Sequence, residues 1–448
     1  MSIFRSYDIR GIYPNDLNEK LAFDIGAAFG TYIKGKIVVG CDSRLSSPPL
    51  KKALIKGLLS TGANVIDIGL TTTPIVMFAT RYLNCDGGVM VSASHNPKNY
   101  NGFKLYGKNG LPIGMDYGME KVQEIFEKKS FSKGEGKSTR KRIFNQYSKF
   151  ILSQIKIKKP LKMKVVVDCG NGSPSIIYPK ILKRIGLDVY ELYCEPDGNF
   201  PNHEPDPSKE ENLKDIRKKV VEIGADLGFA YDGDGDRVIV INKDGNIVYV
   251  GVIFSILIKS ALERYPSGKV IYTVVDSRAI EETIKNNGGI PIPCRVGHTF
   301  ISQKMFKEGA ILAGEISGHY YFKEIFGCDD ALFATLRLIE YLVNSGKDLS
   351  YYDKALPRYY AEISEKSRYQ IKESEKFAFI ERLRDEFVNK GYKVDTTDGV
   401  KVVFDDAWLL VRPSHTEAVV AIVYEAINKD AFDKMKKLAN EIIEKIPR

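Results

Sequence analysis

The sequence has 448 residues and a formal net charge of +9, with 44% hydrophobic and 27% charged residues. This length is expected to form about three or four domains, and no apolar stretch approaches the ~20 residues of a membrane-spanning helix. The first residues lack the layout of a signal peptide, and six scattered cysteines form no C-x-x-C pair. We therefore expect a cytoplasmic protein with no membrane partner, no structural zinc and no disulfide framework.

Three stretches of the chain share one pattern: an apolar run rich in β-branched residues, a helical segment, a turn with glycine, and a second strand. The apolar runs begin at Lys36, Lys164 and Val270, and their second strands cover Asn64–Ile68, Asp188–Leu192 and Ile290–Cys294. Such runs separated by helices are typical of buried strands in α/β units. The sequence therefore predicts three related α/β domains.

Each repeated unit then reaches a further strand that ends in a polar loop rich in Gly or Ser. These loops are Ser92–Pro97, Asp232–Arg237 and Gly314–His319. Ligands of open α/β sheets bind beyond the carboxyl ends of the strands. We expect the three loops to form three walls of one cleft.

The last part of the chain has a different pattern, with helices predicted over Lys376–Asn389 and Asp430–Ile446 and alternating strands between them. This pattern predicts a separate α+β domain. Its polar interruption is Arg412–Glu417. The predicted domains cover residues 1–142, 143–246, 247–358 and 359–448.

The Asp232–Arg237 loop carries the strongest chemical pattern, because Asp232, Asp234 and Asp236 alternate with glycines. Glycines permit a tight backbone, and a cation makes the convergence of three carboxylates favourable. The spacing does not fit an EF-hand, and three hard oxygen ligands suit Mg²⁺ completed by a phosphate oxygen. An acidic turn with splayed side chains is the alternative.

Ser94 lies on the first polar loop, and no G-x-S-x-G motif supports a hydrolase. A serine that carries a phosphoryl group would need cations nearby, and Arg10, Lys104 and Arg237 are candidates. Taken alone, Ser94 fits a cap or turn residue better. The hydroxyl and guanidinium donors of Arg412, Ser414 and Thr416 could bind a phosphate, or form an ordinary turn.

Six motifs occur together in chain order: Phe4–Gly11, Ser92–Pro97, Tyr100–Lys104, Asp232–Arg237, Gly314–His319 and Arg412–Glu417. In these motifs the sequence resembles the α-D-phosphohexomutases, specifically the phosphomannomutase/phosphoglucomutase group. The resemblance implies three related α/β domains and a C-terminal α+β domain around a central cleft. It also implies sugar phosphates as the small-molecule partners.

The resemblance implies a role for each matched residue. Ser94 would be the phosphoserine, and Asp232, Asp234 and Asp236 would hold Mg²⁺ together with its phosphate. Arg10, Lys104 and Arg237 would surround the transferring group. Glu315 and Ser317 would bind sugar hydroxyls, with His298 and His319 nearby. The clamp for the phosphate that is not transferred would comprise Arg412, Ser414, His415 and Thr416.

The implied reaction is reversible phosphoryl transfer between O1 and O6 of a hexose through a hexose 1,6-bisphosphate intermediate. A base must take the hydroxyl proton, and Lys104 or His319 could act. Lys104 would need a lowered pKa, which enclosure beside Arg10 and Arg237 would produce.

Several alternatives stay open from the sequence. A phosphoglucosamine mutase differs only in substrate, and His415 and Ala418 depart from the usual phosphate loop. A Mg²⁺-dependent sugar phosphatase would share the metal site. Nucleic-acid binding is suggested only by the net charge, which is spread thinly, so we expect no nucleic-acid partner. The oligomeric state is not fixed, and a homo-oligomer is one option.

Overall fold

The computed structural model of the chain describes residues 3–363, 367–414 and 418–447. Over these residues the strands form four successive sheets of seven, four, five and six strands. None of the described helices is both long and apolar enough to cross a membrane. The expected fold class, three related α/β domains followed by an α+β domain, is confirmed.

The first sheet has the strand order β1-β5-β4-β2-β3-β7, with β6 beside β5. Its buried strands β2 and β4 pair in parallel, with Val38 opposite Gly88. Asn18 caps α1 by accepting a hydrogen bond from the Leu21 amide at 3.1 Å. The elements are β1 Ile9–Ile12, α1 Glu19–Ile33, β2 Lys36–Cys41, α2 Ser47–Leu59, β3 Asn64–Leu70, α3 Thr73–Tyr82, β4 Gly87–Val91, β5 Tyr100–Tyr106, β6 Pro112–Ile113, α4 Met119–Lys128 and β7 Ser138–Arg140.

The second sheet has the order β11-β10-β8-β9, in which β8 pairs in parallel with both neighbours and β11 is antiparallel. Val165, Val166 and Val167 of β8 are fully buried, as expected for a strand covered on both faces. The elements are α5 Phe144–Ser153, β8 Lys164–Asp168, α6 Tyr178–Arg184, β9 Asp188–Leu192, α7 Lys214–Glu222, β10 Leu227–Tyr231 and β11 Val238–Asn242.

The third sheet has the order β13-β12-β14-β15-β16. Its helix α8 is apolar around most of its circumference because it contacts β11 of the second domain as well as β14 of its own. The elements are α8 Val250–Arg264, β12 Lys269–Thr273, α9 Arg278–Asn286, β13 Ile290–Cys294, α10 His298–Glu308, β14 Leu312–Gly314, β15 Tyr320–Phe322, β16 Cys328–Asp329, α11 Ala331–Ser345 and α12 Leu349–Ala355.

The fourth sheet is antiparallel, with the order β17-β22-β21-β20-β19 and β18 beside β22. Helix α13 covers the predicted residues, and α14 ends three residues before the predicted Ile446. The elements are β17 Tyr360–Glu362, β18 Arg368–Gln370, α13 Lys376–Asn389, β19 Val394–Asp395, β20 Val400–Val403, β21 Ala407–Pro413, β22 Val419–Ala426 and α14 Lys429–Ile443.

The first three domains repeat one strand arrangement. In each, a central strand (β2, β8 or β12) lies between two parallel strands, and the third strand of the unit is followed by an antiparallel neighbour. The three polar loops predicted from the sequence are the links between those last two strands. The three links also contact one another, because Ser94 Oγ donates to Asp232 Oδ2 and Arg237 forms an isolated β-bridge with His319.

The apolar interior also separates the domains into two groups. One buried cluster runs from α3 of the first domain through β8 and β10 to α8 and α11 of the third. The fourth domain has a cluster of its own, and a small group including Val274 and Trp408 joins it to the third. The first three domains thus share a continuous core, whereas the fourth is attached through a smaller apolar contact.

Candidate active site

A cleft of about 690 Å³ lies where the first three domains meet. Six of the predicted site residues line it: Arg10, Ser94, Lys104, Arg237, His298 and His319. A cavity of about 310 Å³ between the third and fourth domains holds none of the predicted site residues. The larger cleft is therefore the candidate active site.

Ser94 lies on the loop that joins β4 to β5, and it is only 2% exposed. Its φ of 51° is in the left-handed region, which is uncommon for a residue with a side chain. Its amide donates to Ser92 Oγ at 2.8 Å, and its Oγ donates to Asp232 Oδ2 at 2.8 Å. This last bond joins the first and second domains at the hydroxyl group.

The Asp232–Arg237 loop is the link between β10 and β11. Asp232 Oδ1 accepts hydrogen bonds from the amides of Gly235, Asp236 and Arg237 at 3.0, 3.1 and 3.1 Å. Gly235 has a φ of 79°, and a side chain at Gly233 would lie 2.6 Å from the Ser94 carbonyl oxygen. The alternating glycines therefore allow both the tight turn and its contact with the Ser94 loop.

Lys104, on β5, is buried against this loop. Its Nζ lies 2.6 Å from Asp234 Oδ2 and 2.6 Å from Asp236 Oδ2. Although burial lowers the pKa of Lys104, Asp234 and Asp236 hold it well above its ordinary value. The expectation of a lowered pKa for Lys104 is wrong in this arrangement, because two carboxylates, rather than Arg10 and Arg237, are its direct partners.

The three aspartates also fit a divalent cation. One carboxylate oxygen from each lies within 4.8 Å of the others, and all three side chains are buried. Among the described residues Asp234 Oδ1 has no hydrogen-bond partner, and Asp236 Oδ1 has only an ion pair with His319 at 3.2 Å. Buried carboxylate oxygens without donors are ready ligands for a hard cation.

The Gly314–His319 loop forms the wall from the third domain. Ser317 Oγ donates to Glu315 Oε1 at 2.5 Å, and His319 Nδ1 lies 2.8 Å from the same oxygen. Although burial and Arg237 lower the pKa of His319, Asp236 and Glu315 raise it to about 10. His319 is therefore a cation at neutral pH and is held between the second and third domains.

Three further residues line the cleft: His298 of the third domain, Arg10 of the first and Arg237 of the second. Burial and the positive charge of Lys104 lower the pKa of His298, at the start of α10, to about 4. Arg10, on β1, donates to the side chains of Asp8 and Asn96. Arg237 Nε lies 3.9 Å from Asp232 Oδ2. Arg10, Lys104 and Arg237 thus line the same cleft as Ser94.

The phosphate loop predicted in the fourth domain is only partly within the described residues. Arg412 Nε donates to Asp398 Oδ2 at 3.0 Å, and the same oxygen accepts from the Val296 amide of the third domain at 3.1 Å. Ser414 follows β21 and is buried. His415 and Thr416 lie outside the described residues. Neither Arg412 nor Ser414 lines the cleft in this arrangement.

Two residues of the site, His95 and Tyr7, were not selected from the sequence. His95 Nδ1 lies 3.2 Å from Ser94 Oγ, and burial and Arg237 hold the pKa of His95 well below its ordinary value. Tyr7 donates to the Val296 carbonyl oxygen at 3.0 Å and packs against His298. His95 belongs to the same sequence motif as Ser94, and Tyr7 to the same motif as Arg10. Their proximity to those residues in the sequence could have identified them as site residues.

The chain matches known domain families along most of its length. The four domain profiles described as phosphoglucomutase/phosphomannomutase, alpha/beta/alpha domains I, II and III and C-terminal domain, match residues 1–133, 145–245, 251–360 and 368–444. The matches follow the chain order and together take in most of its length.

Relatives and solved structures agree with this match. A phosphomannomutase/phosphoglucomutase of Pseudomonas aeruginosa is 41% identical over 97% of this chain and 94% of its own length. A phosphoglucomutase of Neisseria gonorrhoeae is 38% identical over 99% and 97%. The crystal structure of a phosphoglucomutase/phosphomannomutase family protein from Burkholderia thailandensis superposes with a TM-score of 0.91 at 34% identity, over 99% and 97%. The chain belongs to the phosphoglucomutase/phosphomannomutase family.

Proposed function

We propose that this protein transfers a phosphoryl group reversibly between O1 and O6 of mannose and glucose phosphates. Phosphorylated Ser94 carries the group, and a hexose 1,6-bisphosphate is the intermediate. The hydrogen bond from Ser94 Oγ to Asp232, across the boundary of two domains, is the observation that carries this proposal. The names of the relatives in the same family support the reaction class.

In the proposed reaction the bond between phosphorus and Ser94 Oγ breaks while phosphorus bonds to the free hydroxyl oxygen of the hexose phosphate. The hydroxyl loses its proton, and Ser94 Oγ gains one. The bisphosphate then reorients in the cleft, and its other phosphoryl group is transferred to Ser94. That step regenerates the phosphorylated enzyme and releases the product. Such transfers depend mainly on positioning and charge neutralisation.

Charged side chains of the cleft meet this requirement. Arg10, Lys104 and Arg237 place positive charge around the phosphoryl group. Asp232 Oδ2 accepts a hydrogen bond from the Ser94 hydroxyl. Either Lys104 or His319 is the proposed base that takes the proton of the sugar hydroxyl. Because both are cations in the present arrangement, the base must lose its own proton before transfer.

We assign the metal site to Asp232, Asp234 and Asp236, together with an oxygen of the seryl phosphate, and we propose Mg²⁺ as the ion. When bound, the ion neutralises charge on the phosphoryl oxygens. The buried Oδ1 of Asp234, which lacks a partner among the described residues, supports this assignment. Together with Glu315, the three aspartates make four carboxylates against three neighbouring cations, Lys104, Arg237 and His319, so further positive charge is favourable.

The remaining predicted residues are proposed to bind the sugar and its second phosphate. Glu315, Ser317 and His298 would contact sugar hydroxyls. Arg412, Ser414, His415 and Thr416 would bind the phosphate that is not transferred. Asp398 accepts hydrogen bonds from both the Arg412 guanidinium and the Val296 amide, and so holds Arg412 beside the third domain.

Arg412→Ala is expected to raise KM for hexose 1-phosphates at least about tenfold, because a hydrogen bond to a charged group contributes ~1.5–3 kcal/mol. Steady-state kinetics with glucose 1-phosphate measures the effect. Arg384→Ala, which removes an exposed arginine paired with Asp385, is the matched control and should keep its KM. An unchanged KM for Arg412→Ala would remove the proposed role.

The function itself is tested by a mutase assay on mannose 1-phosphate and glucose 1-phosphate with a trace of glucose 1,6-bisphosphate. We expect both 6-phosphates to form, with inorganic phosphate released only as a slow leak. Faster turnover of glucosamine 1-phosphate than of either hexose would establish a phosphoglucosamine mutase instead. Release of inorganic phosphate as the main product would establish a phosphatase.

We also propose the domain boundaries of the enzyme. Boundaries near residues 142, 246 and 358 keep each of the four sheets within one domain, which supports the predicted division.

We propose a cytoplasmic enzyme whose partners are sugar phosphates and not nucleic acid. The absence of a gel shift with duplex DNA at low salt would support this exclusion. Sedimentation would test whether the chain forms a homo-oligomer.

A further inference from the structure

Arg44, in the loop after β2, makes an unusually complete set of hydrogen bonds. It is 1% exposed and does not line the cleft. A guanidinium group has five N–H donors. Nε donates to Asp42 Oδ2 at 3.1 Å, and the other four N–H groups donate to backbone carbonyl oxygens. No donor of the buried side chain is left unused.

The four carbonyl acceptors all belong to the segment that carries Ser94. Nη2 donates to Ser94 at 2.8 Å and to Asn96 at 2.6 Å, and Nη1 donates to Pro97 at 2.6 Å and to Tyr100 at 3.2 Å. The guanidinium therefore binds the whole turn between β4 and β5 from its inner side. Ser94 needs such support, because its left-handed φ is costly for a residue with a Cβ.

The base of this arrangement is itself fixed. Asp42 Oδ1 accepts from the Arg44 amide at 3.1 Å and from Ser47 Oγ at 2.5 Å. The Arg44 guanidinium also lies 5.1 Å from the centre of the Phe200 ring of the second domain. Arg44 is thus held by both domains whose loops meet at Ser94 and Asp232.

We propose that Arg44 is a positioning residue of the phosphoryl transfer: it holds the Ser94 turn so that Oγ stays against Asp232 in both halves of the reaction. This inference rests on the proposed role of Ser94. Because Arg44 does not reach the substrate, its loss should lower kcat and leave KM nearly unchanged. If Arg44 were only structural, its loss would lower the melting temperature without lowering kcat selectively.

Arg44→Lys tests the proposal, because lysine keeps the buried positive charge beside Asp42 but cannot span four carbonyl groups. We expect kcat to fall about 100-fold with KM changed less than about twofold, since a displacement near 1 Å costs this much. The matched control is Arg337→Lys in α11. Arg337 is 2% exposed and is bound to Glu324 and Glu340. The Arg337→Lys protein should have a lower melting temperature and an unchanged kcat.

The outcomes separate this inference from the proposed function. Intact-protein mass of wild type and Ser94→Ala, each incubated with glucose 1,6-bisphosphate, first establishes phosphate on Ser94. No gain in the wild type, or an equal gain in both proteins, would overturn the proposed function and this inference with it. A phosphorylated wild type with Arg44→Lys at normal kcat would overturn the inference alone. An equal fall of kcat in Arg337→Lys would do the same. If Arg44→Lys does not fold, Asp42→Asn replaces it, and a normal kcat for that variant would count against the proposal.

Discussion

Ser94→Ala should abolish phosphate incorporation and lower kcat by about 10⁴-fold or more, of the order seen when a covalent nucleophile is removed. The reason is that no phosphoryl group can then be carried between the two half reactions. Wild-type protein incubated with glucose 1,6-bisphosphate should gain about 80 Da in intact-protein mass, the size of one phosphoryl group. The Ser94→Ala protein should gain nothing.

Ser302→Ala is the control for this experiment. Ser302, on α10, is as buried as Ser94, at 2% exposure, and lies outside the proposed machinery. It should keep both the mass increase and the turnover. A Ser94→Ala protein with normal turnover would end the phosphoserine proposal, whereas a mass increase on that variant would place the phosphoryl group elsewhere.

Asp234→Asn should lower Mg²⁺ affinity at least about 100-fold, since even outer-shell partners of a metal contribute 10–100-fold. Asp234 is chosen because its Oδ1 has no donor among the described residues, and because Asp232 also holds the turn through three amides. Calorimetric titration with Mg²⁺ measures the affinity without an activity assay. Activity should fall in parallel and should also be lost on treatment with a chelator.

Thermal melting gives a second measurement of the same site. For the wild type, Mg²⁺ at 100 times its dissociation constant should stabilise the fold by about 2.7 kcal/mol. Asp67→Asn is the control, because Asp67 is a mostly buried carboxylate paired with Lys51 outside the cleft. The Asp67→Asn protein should keep the Mg²⁺-dependent rise in melting temperature. A similar rise in Asp234→Asn would exclude Asp234 as a ligand.

The strand repeat shows how far local pattern can determine a fold. The second strands predicted at Asp188–Leu192 and Ile290–Cys294 occur at those residues. The third apolar run, which continues to Val275 in the sequence, ends as a strand at Thr273. There Asp276 accepts from both the amide and the hydroxyl of Thr273, at 2.6 and 2.7 Å, so a turn competes with the strand.

Ser94 and the three aspartates could be selected from the sequence because they stand in short motifs directly after strands. Ser94 and Asp232 follow β4 and β10, which hold equivalent places in two different sheets, and ligands of open α/β sheets bind beyond the carboxyl ends of such strands. The pKa of Lys104 could not be predicted, because it depends on which carboxylates lie within 3 Å of its Nζ. The same applies to His319, whose partners come from the second and third domains.

Sequence alone determined the kinds of elements, their order and the chemistry offered by each loop, because strand periodicity and glycine spacing are local properties. Tertiary structure decided which loops meet, which carboxylates share a lysine, and that Arg44 supports the Ser94 turn. Those contacts join residues 50 to more than 130 positions apart in the chain. Their strength depends on burial and distance, which only the packed domains establish.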